Sequence, residues 1–156
     1  MRVVAVTDET RAIYNNLAQA YEAEFSKLTQ KQPLENGVFE LDTNLDEAHV
    51  TGFICYVSGI PAGIAAVCSN ASDDNEIAEF YIVPFYRKAK LGTQFAHALW
   101  HQRPGQWTIK QIAGANYATY FWLNAIDDLP CENLIEDQYE DDYWGTVTRQ
   151  RFVCKG

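Results

Sequence analysis

The run EIAEFYIV, residues 76–83, is apolar on both of its alternating faces apart from Glu76 and Glu79, and Pro84, which follows it, cannot donate a ladder hydrogen bond. Such a segment is stable as a strand in the middle of a sheet, covered on both sides. It therefore commits the chain to layered strands and helices. The flanks agree. HVTGFICYV and AGIAAVC are β-branched-rich runs joined by SGIP, a hairpin signal, and a polar loop SNASDDN leads from them into the central run. Beyond Pro84, LGTQFAHALWHQ sets Leu91, Phe95, Ala98 and Leu99 on one helical stripe. RVVAV reads as an opening strand, and TDET supplies N-cap chemistry for a helix with Ile13, Leu17, Ala20, Tyr21, Glu24 and Leu28 at helical spacing. QWTIKQI reads as a strand, NYATYFWLNAI as a helix and YWGTVTRQRFVC as a closing β segment. The order predicts an α+β (mixed α/β) fold, a sheet with helices laid on it.

At 156 residues, 47% of them hydrophobic, the chain suits one domain over 1–156 with a sizeable core. Twelve Lys and Arg against twenty-one Asp and Glu give a net charge of -9, which disfavours nucleic acid and anionic membranes as partners. No signal-peptide core and no membrane-length apolar run is present, so a cytoplasmic protein is expected. Cys55, Cys68, Cys131 and Cys154 show no C-x-x-C pairing and read as buried, reduced thiols. His97 and His101, four apart on one helix, have no third ligand in sight, so no metal is expected. The four tryptophans read as core.

Against this acidic background, Arg87, Lys88 and Lys90 form a cationic turn between the central strand and a helix N-terminus. Unpaired N–H groups and the helix dipole favour an anion there, and Gly92 permits close approach, which together describe a phosphate or pyrophosphate cradle. A solvated turn paired with neighbouring carboxylates is the competing reading. Neither G-x-x-x-x-G-K-[ST] nor a G-x-G-x-x-G opening the first helix is present.

YIVPFYRKAKLGTQFA resembles the acetyl-CoA-binding motif of the GNAT superfamily of N-acetyltransferases, in which a V-x-P-x-Y-R strand end runs into [RQ]-x-x-G-x-[GA] and a helix. The order of elements fits this family along the whole chain. QRPGQWTI and WGTVTRQRF resemble segments of one bacterial branch, and GANYATYFW sits where the family's N-x-x-A-x-x-[FY]-[YW] helix falls. The resemblance implies a mostly antiparallel, splayed sheet of six to seven strands flanked by helices. It implies acetyl-CoA as cosubstrate and direct attack by an amine of a small molecule or protein in a ternary complex. Pantetheine would pair with the strand end Phe80, Tyr81, Ile82 and Val83, which splays from 107–112. The pyrophosphate would lie on the amides of Lys88, Ala89, Lys90, Leu91, Gly92 and Thr93, with Arg87 and Lys90 adding charge. Asn116, Ala118 and Phe121 would flank the pantetheine arm. A homodimer is compatible with the family.

Two departures stand out. Lys90 replaces the first glycine of the motif, and Trp122 falls where the family's usual thiolate-protonating tyrosine lies; an indole cannot serve as that acid. Tyr120, Tyr117 and Tyr81 are the phenols near enough in sequence to replace it. An acceptor amine must lose a proton, and Glu76 and Glu79 are candidate bases. Strand alternation sends them to opposite faces, so at most one acts directly. A backbone N–H near Ile82 or Val83 would meet the oxyanion. The acidic run CENLIEDQYEDDYW, read as a connection before the last strand, either attracts a cationic acceptor or is a solvated charge run. The competing readings are a non-catalytic acyl-CoA-binding or protein-interaction module of the same fold, and a small interaction domain without CoA.

Overall fold

The computed structural model describes residues 1–71 and 73–156. Its strands are β1 (Arg2–Ala5), β2 (Val50–Val57), β3 (Ile60–Ala71), β4 (Asp74–Ile82), β5 (Gly105–Ile112), β6 (Glu132–Asp141) and β7 (Gly145–Cys154). The α-helices are α1 (Arg11–Thr29), α2 (Leu91–Gln102) and α3 (Asn116–Asp127), with one 3-10 turn at Pro84–Tyr86. The seven strands run β1-β2-β3-β4-β5-β7-β6, so the doubly apolar run is the middle strand. β4 and β5 are parallel, whereas β1–β2, β5–β7 and β6–β7 are antiparallel.

The chain forms two compact units: Met1–Val67 with Ala78–Gly92, and Cys68–Ile77 with Thr93–Gly156. In the first, β2 and β3 are joined by Ser58 and Gly59, both at positive φ, a two-residue hairpin turn. Helix α1 buries Tyr14, Ala18 and Glu22 at i, i+4 and i+8, while Ala20 and Glu24, expected on the inner stripe, are exposed. Thr10 at its N-cap makes no side-chain cap bond; its hydroxyl instead accepts from the Thr7 N–H at 2.9 Å. Gln19 holds the following irregular segment by donating to Phe39 O and accepting from Phe39 N, both at 2.8 Å.

The second unit has an aromatic core. Trp100 meets Phe152 edge-on at 4.9 Å and Trp122 at 6.3 Å, and Trp107 is fully buried. Trp144, by contrast, is 36% exposed and is not core. Gln111 and Gln150 form a buried reciprocal amide pair at 2.8 and 3.0 Å. Their donors and acceptors satisfy one another, which makes two buried amides tolerable.

Two segments differ from expectation. The loop expected over 69–75 is shorter, because β3 continues to Ala71 and β4 begins at Asp74; Ser72 of that loop lies outside the described residues. The acidic connection is strand β6, at one edge of the sheet, with a bulge between Glu132 and Ile135 at Asn133, φ 58. Gly105 starts β5 at φ +134, where an added Cβ would stand 2.4 Å from the Asp73 carbonyl oxygen. Gly105→Ala is expected to cost about 2 kcal/mol or more, since backbone cannot yield as a side chain can. Denaturant melting of the variant checks this.

Candidate active site

After Ile82 the chain leaves the sheet through Pro84, whose fixed φ suits the short turn closed by Tyr86 N–H to Val83 O at 2.8 Å. Arg87 does not project from this turn as a loose phosphate ligand. Its Nε donates to Ile82 O at 2.9 Å, its Nη2 donates to Glu24 Oε2 and Oε1 at 2.7 and 2.9 Å, and its guanidinium lies 5.4 Å from the Tyr81 ring. It brackets the strand end to α1. Lys88, Ala89 and Lys90 are exposed, and the buried Leu91 anchors the start of α2.

Ala89 and Lys90 both lie in the left-handed region, φ 60 and 59. Position 90 thus keeps the conformation that glycine adopts freely, although its side chain costs about 1–2 kcal/mol there. Lys90→Gly is expected to stabilise the protein by about 0.5–1 kcal/mol net, after glycine's own backbone entropy is subtracted. A lowered melting temperature would contradict this account of the turn.

Along β4 the two glutamates point to opposite faces, with Glu79 sharing its face with Asn75, Ile77 and Tyr81. Glu79 is 4% exposed, and the Tyr14 hydroxyl donates to its Oε1 at 2.6 Å. Burial pushes its carboxyl above the usual carboxylate range, the Tyr14 bond opposes this, and Glu22 raises it further. Burial, reinforced by Glu79 and Glu22, likewise pushes the Tyr21 phenol up. Tyr81, 5% exposed, is raised by burial and by Glu24, with Arg87 opposing.

Glu76 belongs to the second unit, where Lys110 holds it at 3.0 Å. Burial works against the charge of Lys110, but the hydrogen bond and charge of Glu76 outweigh it and keep the ammonium above its ordinary range. To act as a base, Glu76 would have to give up this pair.

The β4–β5 ladder runs over Asp74↔Gln106, Asn75↔Trp107 and Glu76↔Thr108. Just past the end of β4, the Val83 N–H is committed to Ala62 O at 2.8 Å. Alternation then turns the Ile82 N–H toward the edge away from β3. In the second unit, Asn116 opens α3, Phe121 packs against Trp122 at 4.9 Å, and Trp122 is 5% exposed. Tyr117 and Tyr120 are 83% and 69% exposed, so a core role does not explain them.

The carboxylates of β6 have local partners. Glu132 pairs with Lys155 at 2.9 Å, Glu136 accepts from Gln150 at 2.9 Å, and Asp137 holds Arg149 at 2.6 Å. Asp141 accepts the N–H groups of Tyr143 and Trp144, which hold its carboxyl below the usual range. This side-chain bookkeeping favours a structural edge over an electrostatic funnel. His97 is likewise engaged, its Nε2 lying 2.8 Å from Ala125 O. Of the cysteines, Cys55 and Cys154 are buried, while Cys68 and Cys131 are only half-buried, and the sulfurs of Cys131 and Cys154 lie 2.7 Å apart.

The structure thus brings Glu79, Tyr81 and Arg87 together in the first unit, with Tyr14, Glu22 and Glu24 of α1. Tyr14 and Glu22 were missed from the sequence. The available signal was their spacing of eight, which puts both on one helical stripe around Ala18.

No family profile matches the chain, and no curated protein matches it in sequence. Solved structures do match. A variant of spermidine N-acetyltransferase from Vibrio cholerae aligns at TM-score 0.64 and 9% identity over 98% of this chain and 95% of that one. The N-acetyltransferase for a ribosomal-protein alanine from Escherichia coli aligns at 0.61 and 9%, covering 99% and 95%. A GNAT family acetyltransferase from Elizabethkingia anophelis with acetyl-CoA bound aligns at 0.58 and 7%, covering 96% and 95%. With its seven-stranded mixed sheet flanked by three helices, the chain has the fold of the GNAT N-acetyltransferases.

Proposed function

We propose that the chain is a cytoplasmic acetyl-CoA-dependent N-acetyltransferase acting on an amine, with Glu79 as the proton acceptor. The observation that carries this reading is one strand that ends in the exposed left-handed basic turn and carries, three residues before Ile82, a buried carboxyl of raised proton affinity. The structural neighbours act on spermidine and on a ribosomal-protein alanine, and one holds acetyl-CoA, which supports an amine acceptor and a thioester donor.

The cosubstrate's diphosphate fits the turn. Its opening helix turn offers N–H groups without intrahelical partners, and Lys88 and Lys90 add charge while Arg87 stays in its bracket. In the transfer, the ammonium gives one proton to ionised Glu79, and the resulting neutral nitrogen attacks the acetyl carbonyl carbon. The Ile82 N–H receives the oxyanion. The C–S bond then breaks as the C–N bond is retained, the nitrogen releases its second proton, and the thiolate leaves and is protonated by solvent. The net products are an N-acetyl amine, CoA thiol and one proton.

A second reading, binding without turnover, is favoured by Trp122, whose buried indole stands where the resemblance calls for a phenol. Thiol release from acetyl-CoA with pooled amines separates the two. Turnover supports the transferase, whereas saturable CoA binding without thiol release supports the binding module.

A further inference from the structure

Cys131 and Cys154 bring two thiols to one corner of the second unit, and their sulfurs lie 2.7 Å apart. Both are free cysteines. A disulfide bond is about 2.0 Å long, so joining the two sulfurs asks for a movement well under one ångström.

The backbone accounts for this proximity. β6 and β7 are antiparallel with Glu132 opposite Val153, and one step outward along that register sets Cys131 opposite Cys154. Directly opposed residues of an antiparallel pair stand about 4.5–5.5 Å apart at Cα, within the span of about 4.4–6.8 Å that a disulfide bridges. Other contacts hold both segments in place. Cys154 is paired on its other side with Gly105 of β5, and the Cys131 N–H donates to Leu129 O at 2.6 Å. The next residue of each segment repeats the approach, with Lys155 on Glu132 at 2.9 Å.

The two thiols are not equivalent. Cys131 is half-buried and Cys154 is 2% exposed, so a reagent in solution meets Cys131 first. Burial pushes the Cys131 thiol up, with the hydrogen bond to Cys154 opposing; burial pushes the Cys154 thiol up, with the hydrogen bond and charge of Cys131 adding to it. Thiolate is therefore scarce at neutral pH. What the corner supplies is a resolving thiol already in contact, rather than an activated nucleophile.

We propose that Cys131 and Cys154 are a modification site, a dithiol that hydrogen peroxide converts into a disulfide stapling the entry of edge strand β6 to the end of β7. The Cys131 sulfur attacks the peroxide O–O bond, an S–O bond forms, and one water leaves. The Cys154 sulfur then attacks the Cys131 sulfenic sulfur, the S–S bond forms as the S–O bond breaks, and a second water leaves. The pair gives up two electrons, one peroxide is reduced, and the two thiol protons end in the waters. The staple closes a span of twenty-three positions. It pins the part of β6 that most needs it, because the bulge between Glu132 and Ile135 interrupts the ladder there.

Hydrogen peroxide treatment of the 156-residue chain, followed by alkylation under denaturing conditions, peptide mapping and thermal melting, tests the site. Alkylatable thiols are expected to fall from four to two, with Cys55 and Cys68 remaining and one cross-linked peptide joining Cys131 to Cys154. The melting temperature should rise by about 5–10 °C, as expected for a loop of this length in a chain of this size, and dithiothreitol should reverse both changes. Cys131→Ser, a change at the half-buried member of the pair, should abolish the cross-link and the rise. Four thiols after treatment, a bond joining other cysteines or two chains, or oxygen added to sulfur without a cross-link would overturn the proposal on the wild type alone. A rise in melting temperature that persists in Cys131→Ser would overturn the staple.

Discussion

Glu79→Gln is expected to lower kcat for acetyl transfer about a hundredfold or more, the usual range for loss of a general base, with the affinity for CoA unchanged. The amide keeps the shape and can still accept the Tyr14 hydroxyl bond, so the loss reports proton transfer rather than packing. The pH profile provides an independent sign. Burial raises the Glu79 carboxyl, so the wild-type rate should climb with pH through a range above ordinary carboxylate titration, and this limb should vanish in the variant. Stability runs the opposite way. A carboxyl whose folded pKa is raised contributes most below its unfolded pKa, and that contribution is lost as pH rises through the folded value. The wild type should therefore lose more stability than Glu79→Gln between mildly acidic and neutral pH. The titration senses Tyr14, Tyr21, Glu22, Asp42 and Thr43 around Glu79. A variant with wild-type kcat and an unchanged acid limb would remove Glu79 from the chemistry.

The second large effect is expected at the turn. Lys88→Glu with Lys90→Glu should weaken CoA binding more than tenfold at low salt, because two attractive charges beside a diphosphate become two repulsive ones. The deficit should shrink as salt is added, since both positions are exposed and screened. Arg87→Ala should behave differently. Its guanidinium is engaged by Ile82 O, by Glu24 and by the Tyr81 ring, so removal should lower the melting temperature as well as CoA affinity. The exposed ion pair alone contributes about 1 kcal/mol or less. Calorimetric titration and thermal melting of both variants check this. Equal CoA affinity in the wild type and the double lysine variant would leave the basic turn without a ligand.

The sequence carried most of the fold because its strong periodicities match elements that are buried. LGTQFAHALWHQ is α2 from first residue to last, and EIAEFYIV lies in the central strand up to its last residue, Val83, which falls just past the strand's end. β6 was not legible. As an edge strand it is exposed, so its composition is dominated by carboxylates satisfied pairwise by β7 and Lys155, and no apolar alternation announces it. At the candidate site, Glu79, Tyr81 and Arg87 were readable from strand and motif, but the role of Arg87 was not, because its partner Glu24 lies sixty-three residues away. Tyr14 and Glu22 escaped for a related reason. A hydrophobic stripe search follows apolar residues, and this helix buries a phenol and a carboxylate at the centre of its face.

The most direct test follows the backbone amides of residues 88–93 by NMR as CoA is added. The largest shifts are expected at Lys88, Ala89, Lys90, Gly92 and Thr93, and adenosine, which lacks the diphosphate, should not reproduce them. Shifts centred elsewhere, or none at saturating CoA, would contradict the placement of the cosubstrate and the transferase reading built on it.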